Sequence, residues 1–242
     1  MKKYSFIGKS LFFEKERIVV FGDLHLGYEE NLRLHGLEIH INKFKEMKEE
    51  VKNTLKFIKT TLGKIEKIIF LGDVKHSFGF IAYEKKYINE LIKISKDYLE
   101  NENRIIFIRG NHEKNEKNEK FLDFYVEKDI VFIHGNKEFL EMYDKKINLV
   151  IMGHVHPTII LKDKMKIKGE KYKCFLTGRH IGKDFIVVPS FLSITEGISS
   201  TEFSDEERDF SVIPTKELKN FEVFVCQELG EKALDFGKLG AL

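Results

Sequence analysis

The chain has 242 residues, 42% of them hydrophobic, and this length fits one large α/β domain with a substantial core. Its 41 basic and 39 acidic residues leave a net charge of +2, so the overall charge selects neither nucleic acid nor a membrane as the partner. No stretch reaches the roughly 18 apolar residues that a membrane span needs. These properties exclude a wholly disordered chain and predict a protein that does not cross a membrane.

Cysteine usage and the N-terminus both bear on the cellular compartment. The two cysteines, Cys174 and Cys226, are far apart and lie in apolar, strand-like contexts, so we expect two free buried thiols. The first residues are basic but lack the apolar run of a secretory signal, because Gly8, Lys9 and Ser10 interrupt it. Both features favour the cytoplasm.

Strands and helices alternate in the first half of the chain. Apolar residues recur at helical spacing from Asn42, a predicted N-cap, to Leu62 and again from Tyr83 to Leu99. Between the first motif and the first helix, Tyr28–Ile41 is a polar excursion. Strands are predicted at Tyr4–Ile7, Leu11–Phe13, Arg17–Phe21, Lys67–Leu71 and Arg104–Ile108. The alternation predicts βαβ units and a largely parallel sheet, whose ligands lie beyond the carboxyl ends of the strands.

The second half is richer in strands. Three further strands are predicted at Phe121–Val126, Ile130–Ile133 and Asn148–Met152. Beyond them, short strands separated by turns predict an antiparallel second sheet that packs against the first: Thr158–Leu161, Lys171–Leu176, Phe185–Val188, Phe221–Cys226 and Ala233–Phe236. The charged run Asn115–Lys120 is interpreted as a solvated loop, and Thr195–Ser211 as a surface loop or lid. No linker requires a separate domain, so residues 1–242 are predicted to form one.

Five short motifs share one pattern, in which an apolar strand ends in glycine together with Asp, Asn or His. They are Gly22-Asp23-Leu24-His25, Gly72-Asp73, Gly110-Asn111-His112-Glu113, His134-Gly135 and Gly153-His154-Val155-His156. Each piece alone has an ordinary structural explanation as a turn or cap. All five in order at strand ends indicate one divided metal site.

The residue types in these motifs suit divalent transition metals. Carboxylate oxygens and neutral imidazole nitrogens, without thiolates, favour Mn, Fe, Zn or Co over Ca or Mg. Asp23 and His25 lie on the same side of an extended segment and can face one ion. Asp73 has two oxygens and can bridge two ions, while Asn111 adds a neutral carbonyl. The remaining histidines, His35, His40 and His180, lack this context and are expected to be surface or hydrogen-bonded polar residues.

The ordered motifs resemble the calcineurin-like metallophosphoesterase superfamily over Phe21 to Pro157, and most closely archaeal phosphoesterases related to the Mre11 and SbcD nucleases. The resemblance implies a four-layer α-β-β-α sandwich of two mixed sheets flanked by helices. It implies hydrolysis of phosphoester bonds with two divalent metals, Mn first and Fe, Zn, Co or Ni as alternatives. It assigns the ligands as follows: Asp23, His25, Asp73 and His156 to the first metal, and Asp73, Asn111, His134 and His154 to the second. His112 is then the candidate general acid.

The implied mechanism needs no protein nucleophile. Two cations about 3.5–4 Å apart activate a bridging water for in-line attack on phosphorus and clamp the phosphoryl oxygens. His112 donates a proton to the leaving oxygen. The partner is therefore a phosphoester substrate, with nucleic acid or a nucleotide among the candidates, and the sequence does not give an oligomeric state.

The chain departs from the Ser/Thr protein phosphatases of the same superfamily after Asp73. Those enzymes continue with an Asp that orients the acid His and an Arg that holds phosphate, whereas this chain has His76 and Ser77 there. His76 either supports His112 or the substrate, or is a turn residue, and Arg109 is a further candidate for substrate contact. We expect a phosphodiesterase or nuclease. The alternatives are a phosphomonoesterase, a nucleotide pyrophosphohydrolase, or a non-catalytic scaffold with the same fold.

Overall fold

A computed structural model describes residues 4–36, 42–77, 82–101, 104–113, 121–162, 169–192 and 211–242. Three features of the sequence lie outside these residues. They are the charged run Asn115–Lys120, the polar segment Thr195–Ser211 except for its last residue, and His40.

The first sheet is built from the N-terminal half of the chain, and its strand order follows the sequence. An antiparallel meander of three strands continues into a parallel run, which confirms the predicted βαβ arrangement. Its strands are β1 Tyr4–Ile7, β2 Ser10–Phe13, β3 Ile18–Phe21, β4 Lys67–Phe70, β5 Ile105–Ile108 and β6 Phe121–Leu122.

Three helices follow strands of this sheet: α1 Tyr28–Leu34, α2 Lys43–Phe57 and α3 Ala82–Lys96. The Asn42 side chain caps α2 by accepting a hydrogen bond from the Lys45 amide at 2.8 Å, as the sequence predicts. A π-helical turn, Ile58–Leu62, extends α2 to the predicted end. Helix α1 lies where a polar excursion was expected, so that interpretation was wrong over Tyr28–Leu34.

The second sheet comes from the C-terminal half, in the order β14-β13-β11-β12-β9-β8-β7 with β10 paired to β11. Its strands are β7 Phe124–Glu127, β8 Ile130–Ile133, β9 Leu149–Met152, β10 Thr158–Lys162, β11 Gly169–His180, β12 Lys183–Val187, β13 Glu222–Val225 and β14 Leu234–Lys238. The strands from Thr158 onward pair antiparallel with one another, as expected, whereas β9 pairs in parallel with both β8 and β12, so the sheet is mixed.

The predicted strand Phe121–Val126 is divided between the two sheets. Phe121–Leu122 pairs in parallel with β5, whereas Phe124–Glu127 pairs antiparallel with β8. The chain therefore crosses from one sheet to the other at Asp123. An apolar run broken by one polar residue does not disclose such a crossing, because both pieces keep the alternation of a strand.

Alternate residues of the central strands serve two different cores, which explains the continuous apolar runs. Ile18 and Val20 pack between the sheets with residues such as Phe132, while Val19 and Phe21 pack beneath the helices. A third core covers the outer face of the second sheet beneath short helical segments: Leu140–Tyr143, α4 Thr215–Leu218 and Leu239–Ala241. The predicted α-β-β-α layer order is confirmed. Each fully buried Phe contributes about 1.5–3 kcal/mol to such a core.

Candidate metal centre

Strand register brings all five motifs to one edge of the sandwich. In the first sheet Phe21 pairs with Phe70, and Phe70 pairs with Phe107. In the second sheet Ile133 pairs with Met152. Because these neighbouring strands run parallel and end in register, the loops that follow them leave the sheets side by side.

The first cluster consists of Asp23, His25 and His156, whose ligand atoms lie within 4.8 Å of one another. The His156 Nε2 atom lies 3.2 Å from Asp23 Oδ1 and 3.4 Å from His25 Nε2. Asp23 is fully buried. These are three of the four residues that the sequence assigns to the first metal.

The second cluster consists of Asp73, His134 and His154, again within 4.8 Å of one another. His134 Nε2 lies 3.1 Å from His154 Nδ1, 3.0 Å from Asn111 Oδ1 and 3.5 Å from Asp73 Oδ2. The four residues assigned to the second metal are therefore in one place. The clusters also adjoin each other, since His134 Nδ1 is 3.5 Å from Asp23 Oδ1.

Four of the clustered residues have a left-handed backbone conformation. The φ angles of His25, Asp73, His154 and His156 are 47°, 42°, 67° and 47°. For residues with a Cβ atom this region is sparsely populated, and each instance costs on the order of 1–3 kcal/mol. The sharp turns direct the side chains back over the ends of the strands, and such strain concentrates at functional sites.

Electrostatics keep Asp23 ionised and His25 neutral, which are the forms that bind cations. Burial would raise the pKa of Asp23, but His156 and His134 hold it far below its usual value. Burial and the neighbouring His156 lower the pKa of His25 to about 3, although Asp23 and Asp73 oppose the change. Burial likewise disfavours the charged form of His134, but the same two carboxylates outweigh it and raise its pKa to about 9. Ionised carboxylates and a neutral His25 are the states that metal binding requires.

The hydrogen bonds of His134 test whether a cation fits. Its Nδ1 atom lies 2.8 Å from the carbonyl oxygen of Leu71, which can only accept, so Nδ1 carries the proton. In the neutral ring the lone pair of Nε2 then faces the Asn111 oxygen and a carboxylate oxygen of Asp73, which are also acceptors. Three acceptors converging in a buried site require a positive charge, which the raised pKa of His134 supplies as a ring proton and which a divalent cation would supply in its place. The donor set fits a divalent cation, and the Leu71 carbonyl fixes the required tautomer.

Glu113 supports the second cluster from below and had no separate role in the sequence prediction. Its buried carboxylate accepts hydrogen bonds from the backbone amides of Gly110 at 2.8 Å, Lys75 at 3.1 Å and Asp73 at 3.2 Å. Burial and the nearby Asp73 charge raise its pKa to about 7. Its place directly after Asn111-His112 is the only signal that the sequence offered.

His112 lies beside the second cluster with its ring oriented by the main chain. Its Nδ1 atom donates to the carbonyl oxygen of His76, so the other nitrogen, Nε2, is the one that lies 3.6 Å from Asp73 Oδ2. The imidazoles of His25, His76 and His112 form a third group within 4.8 Å, and His76 also packs against Tyr28 at a centroid distance of 4.9 Å. His76 therefore belongs to the rim of the metal centre.

Arg109 is occupied by contacts with its own loop. Its guanidinium binds Asp123 at 3.2 Å, the Phe121 carbonyl oxygen at 2.9 Å and the Glu113 carbonyl oxygen at 3.3 Å. These contacts favour a structural role over substrate contact.

Besides His76, two described histidines lie outside the motifs, and both have the ordinary roles that were expected. His35 hydrogen-bonds the Asn31 carbonyl oxygen at 2.7 Å on the surface. His180 hydrogen-bonds the Glu217 carboxylate, also at 2.7 Å.

A cavity of about 800 Å³ lies at the opposite edge of the sandwich, lined by residues such as Glu16, Lys128 and Asn148. None of the clustered Asp and His residues lines it. Its charged groups pair with each other, for example Lys128 with Glu16 at 3.3 Å and Arg179 with Asp184 at 3.5 Å. Its size therefore does not make it the functional site.

Two facing mixed sheets with adjoining carboxylate–histidine clusters at the strand ends define a metal-dependent phosphoesterase. The family model of calcineurin-like phosphoesterases matches residues 16–181, well over half of the chain. The chain belongs to the calcineurin-like phosphoesterase family, whose members hydrolyse phosphoester bonds with divalent metal ions. A search of the curated proteins finds no match. Within the described residues, no helix combines the length and apolar character needed to cross a bilayer.

Three solved structures match this chain at low sequence identity, and the first of them shares the fold. The Pseudomonas putida nuclease MPE is 17% identical with a TM-score of 0.56, over 90% of this chain and 88% of that one. Vps29 of Entamoeba histolytica, complexed with Zn²⁺, is 13% identical with a TM-score of 0.39, over 91% and 99% of the two chains. A conserved uncharacterized protein of Streptococcus pneumoniae, described as a predicted phosphoesterase, gives 13% and 0.35, over 91% and 97%.

Proposed function

We propose that the protein is a manganese-dependent phosphodiesterase in which two cations are bound side by side. The observation that carries this proposal is the pair of adjoining clusters, with His112 beside the second. Asp23, His25 and His156 would hold one cation, and Asn111, His134 and His154 the other, with Asp73 between them. Mixed oxygen and imidazole donors without thiolate suit divalent transition metals, of which we propose Mn²⁺ first, with Fe, Zn, Co and Ni as alternatives.

The bound cations would supply Lewis-acid activation of water and neutralise charge on the phosphoryl oxygens. The protein side chains contribute position and a proton. Asp73 Oδ1 accepts from the His112 amide at 3.0 Å, which ties the acid to the metal-binding loop. The His112 Nε2 atom faces the centre and can deliver its proton to the leaving oxygen of an in-line displacement.

We favour a diester substrate, and single-stranded nucleic acid is the first polymer to test because the P. putida protein of this fold is named a nuclease. A monoesterase, a nucleotide pyrophosphohydrolase and a non-catalytic scaffold are the competing functions. We also propose a cytoplasmic location, supported by Cys174 and Cys226, which are both free thiols.

The test is turnover of a chromogenic phosphodiester with Mn²⁺ added to metal-stripped protein. We expect wild-type turnover, loss of about 10³-fold or more in Asp73→Ala, and a drop in kcat of about 10²- to 10⁴-fold in His112→Ala with metal uptake retained. His180→Ala is the matched control and should match the wild type, because His180 pairs with Glu217 outside the clusters.

The outcomes separate the alternatives. Equal turnover in all four proteins would refute the proposal, and no turnover of any phosphoester by metal-loaded wild type would favour the scaffold. Faster turnover of the corresponding monoester would assign a phosphomonoesterase. Activity on nucleoside polyphosphates alone would assign a pyrophosphohydrolase.

A further inference from the structure

Two lysine ammonium groups hold three successive backbone carbonyls next to the first cluster. Lys173 Nζ donates to the carbonyl oxygen of Ser190 at 2.7 Å and also to that of Leu192. Lys9 Nζ donates to the carbonyl oxygen between them, that of Phe191, at 2.8 Å. We call this arrangement of Lys9, Lys173 and the three carbonyls the lysine clamp.

The segment held by the clamp in turn holds Asp23. The Asp23 carbonyl oxygen accepts hydrogen bonds from the Phe191 amide at 2.8 Å and from the Ser190 hydroxyl at 3.1 Å. The two main chains are in direct contact here, since a Cβ atom on Gly22 would lie 2.2 Å from the Pro189 carbonyl oxygen. A shift of the held segment is therefore transmitted to Asp23.

The ring of Phe191 fixes the same segment through apolar contacts. It is fully buried and packs edge-on against Phe21, the last residue of β3, at a centroid distance of 5.1 Å. Lys9 Nζ lies 4.6 Å above the same ring, within the range of a cation–π contact. Strand β3 leads through Gly22 into Asp23. The contact between Phe21 and Phe191 therefore joins the held segment to the strand that positions Asp23.

Burying the Lys173 side chain carries a desolvation cost, which indicates that its hydrogen bonds have a specific role. Lys173 is only 9% exposed, and burial together with the nearby charge of Lys9 lowers its pKa to about 7. Lys9 forms an ion pair with Glu50 at 2.8 Å. An apolar side chain at position 173 would avoid the desolvation cost of a buried ammonium, but it would leave the carbonyl oxygens of Ser190 and Leu192 without these donors.

We propose that Lys173 is a positioning residue for the first cluster and sets how tightly Asp23, His25 and His156 bind their cation. This inference rests on the proposed function, because it assumes that the cluster binds a cation. The carboxylate of Asp23 is anchored separately by the His154 amide at 3.0 Å. Release of the main chain at Asp23 therefore rotates the carboxylate away from the direction that the cluster requires.

The test is a calorimetric titration of metal-stripped Lys173→Met with Mn²⁺, together with turnover of the chromogenic phosphodiester as a function of Mn²⁺ concentration. We expect one of the two sites to weaken about 10- to 100-fold, as is typical when an outer support of a metal ligand is lost. The other site should keep its wild-type affinity, and kcat at saturating Mn²⁺ should stay within a few-fold of wild type.

Lys183→Met is the matched control. Lys183 Nζ also donates to two backbone carbonyl oxygens, those of Asp144 at 2.8 Å and Ile147 at 2.6 Å, but it lies at the start of β12, at the opposite edge of the sandwich. We expect its loss to lower the melting temperature without changing either Mn²⁺ affinity. Lys9→Met is a second test variant, for use if Lys173→Met does not fold. We expect it to weaken Mn²⁺ binding at the same site by a smaller factor.

Three results would overturn the inference. Folded Lys173→Met with two wild-type Mn²⁺ affinities would refute it, as would equal weakening in Lys183→Met, because the effect would then be a general loss of stability. If wild type itself takes up no Mn²⁺, the proposed function fails together with the clamp. If wild type binds two cations and both clamp variants bind them equally well, the proposed role of Lys173 is refuted while the proposed function stands.

Discussion

The two Asp–His clusters are supported by opposite chemistry. Beneath the second cluster the backbone turns its amides inward, and the Glu113 carboxylate accepts from three of them, including that of Asp73 itself. Beside the first cluster the backbone turns its carbonyls inward, and Lys173 and Lys9 donate to three of them. The segment that the lysines hold in turn hydrogen-bonds the main chain of Asp23.

The difference shows how a loop with strained residues is kept in place. Buried amides and carbonyls need partners, and at a sharp turn the regular sheet no longer supplies them. A carboxylate can satisfy several donors and an ammonium several acceptors, so the direction of the peptide groups decides which charge is needed. The comparison predicts that each support can be disturbed without disturbing the other.

The largest effect is expected from a matched pair of glycine substitutions. In Gly110→Ala the new Cβ atom would lie 2.1 Å from Asp73 Oδ1, and in Gly153→Ala it would lie 2.4 Å from Asp23 Oδ2. Each displaces one carboxylate, and misplacement by about 1 Å costs activity about 10²-fold. Titration with Mn²⁺ should show loss of the first site alone in Gly153→Ala, whereas Gly110→Ala should weaken both sites, the second more strongly, because Asp73 would lie between the two cations.

The control for this pair is Gly182→Ala, because no atom lies within 4 Å of the added Cβ there, although its positive φ makes the change mildly strained. Metal binding in the control should equal that of wild type. Loss of both sites in Gly153→Ala would contradict the independence of the two supports, because Asp23 is assigned to the first metal alone.

An intermediate effect is expected for Glu113→Gln. The amide NH₂ group of glutamine would face backbone N–H donors that now meet a carboxylate oxygen, so the Asp73 loop loses part of its support. We expect the affinity of the second site for Mn²⁺ to fall about 10- to 100-fold, and that of the first site, which shares only Asp73 with it, to fall less.

Glu66→Gln is the control, since Glu66 makes an exposed ion pair with Arg104 at 3.0 Å. Calorimetry on the two variants measures the difference. Unchanged affinity of both sites in Glu113→Gln would show that the carboxylate does not support the cluster.

The smallest effect is expected in the pH dependence of folding stability that Lys173 of the clamp contributes. Burial, with the adjacent Lys9 charge, lowers the pKa of Lys173 to about 7, while Cys226 and Glu50 face it and act in the opposite direction. The unfolded chain therefore holds this proton more strongly than the folded chain between about pH 7 and the ordinary lysine value of about 10.4. This group makes the protein more stable as pH rises through that range, and the gain is lost as pH falls toward 7.

The slope is at most about 1.4 kcal/mol per pH unit for one proton. Urea unfolding at several pH values should show that the free energy of unfolding of metal-free wild type rises relative to that of Lys173→Met as pH rises. A difference that stays constant from pH 7 to 10 would contradict a lowered pKa of Lys173 in the folded protein.

The ligand residues were predictable from the sequence because their signal is local. Asp23 and Asp73 each follow an apolar strand and a glycine, and parallel strands that end in register must bring such residues together. The same reasoning placed the strands and the two long helices. It missed α1, because Tyr28–Leu34 contains four polar or charged residues and a stripe too short to show a period.

The supports were not predictable because they depend on contacts between distant parts of the chain. Lys173 lies 17 residues from Ser190, and Lys9 lies 182 residues from Phe191. A lysine between Tyr172 and Cys174 in an apolar strand was the only local hint. The packing of the two sheets decides which peptide groups point inward at a turn and which charged side chain can reach them. Sequence periodicity does not carry this information.

The central claim is that this chain binds two divalent cations in separately supported sites. The most direct measurement is the number of Mn²⁺ ions retained per chain after stripping and reloading, by elemental analysis, for wild type, Gly110→Ala and Gly153→Ala. We predict two ions for wild type, one for Gly153→Ala and at most one for Gly110→Ala. Fewer than two ions in wild type, or two ions in both variants, would contradict the claim.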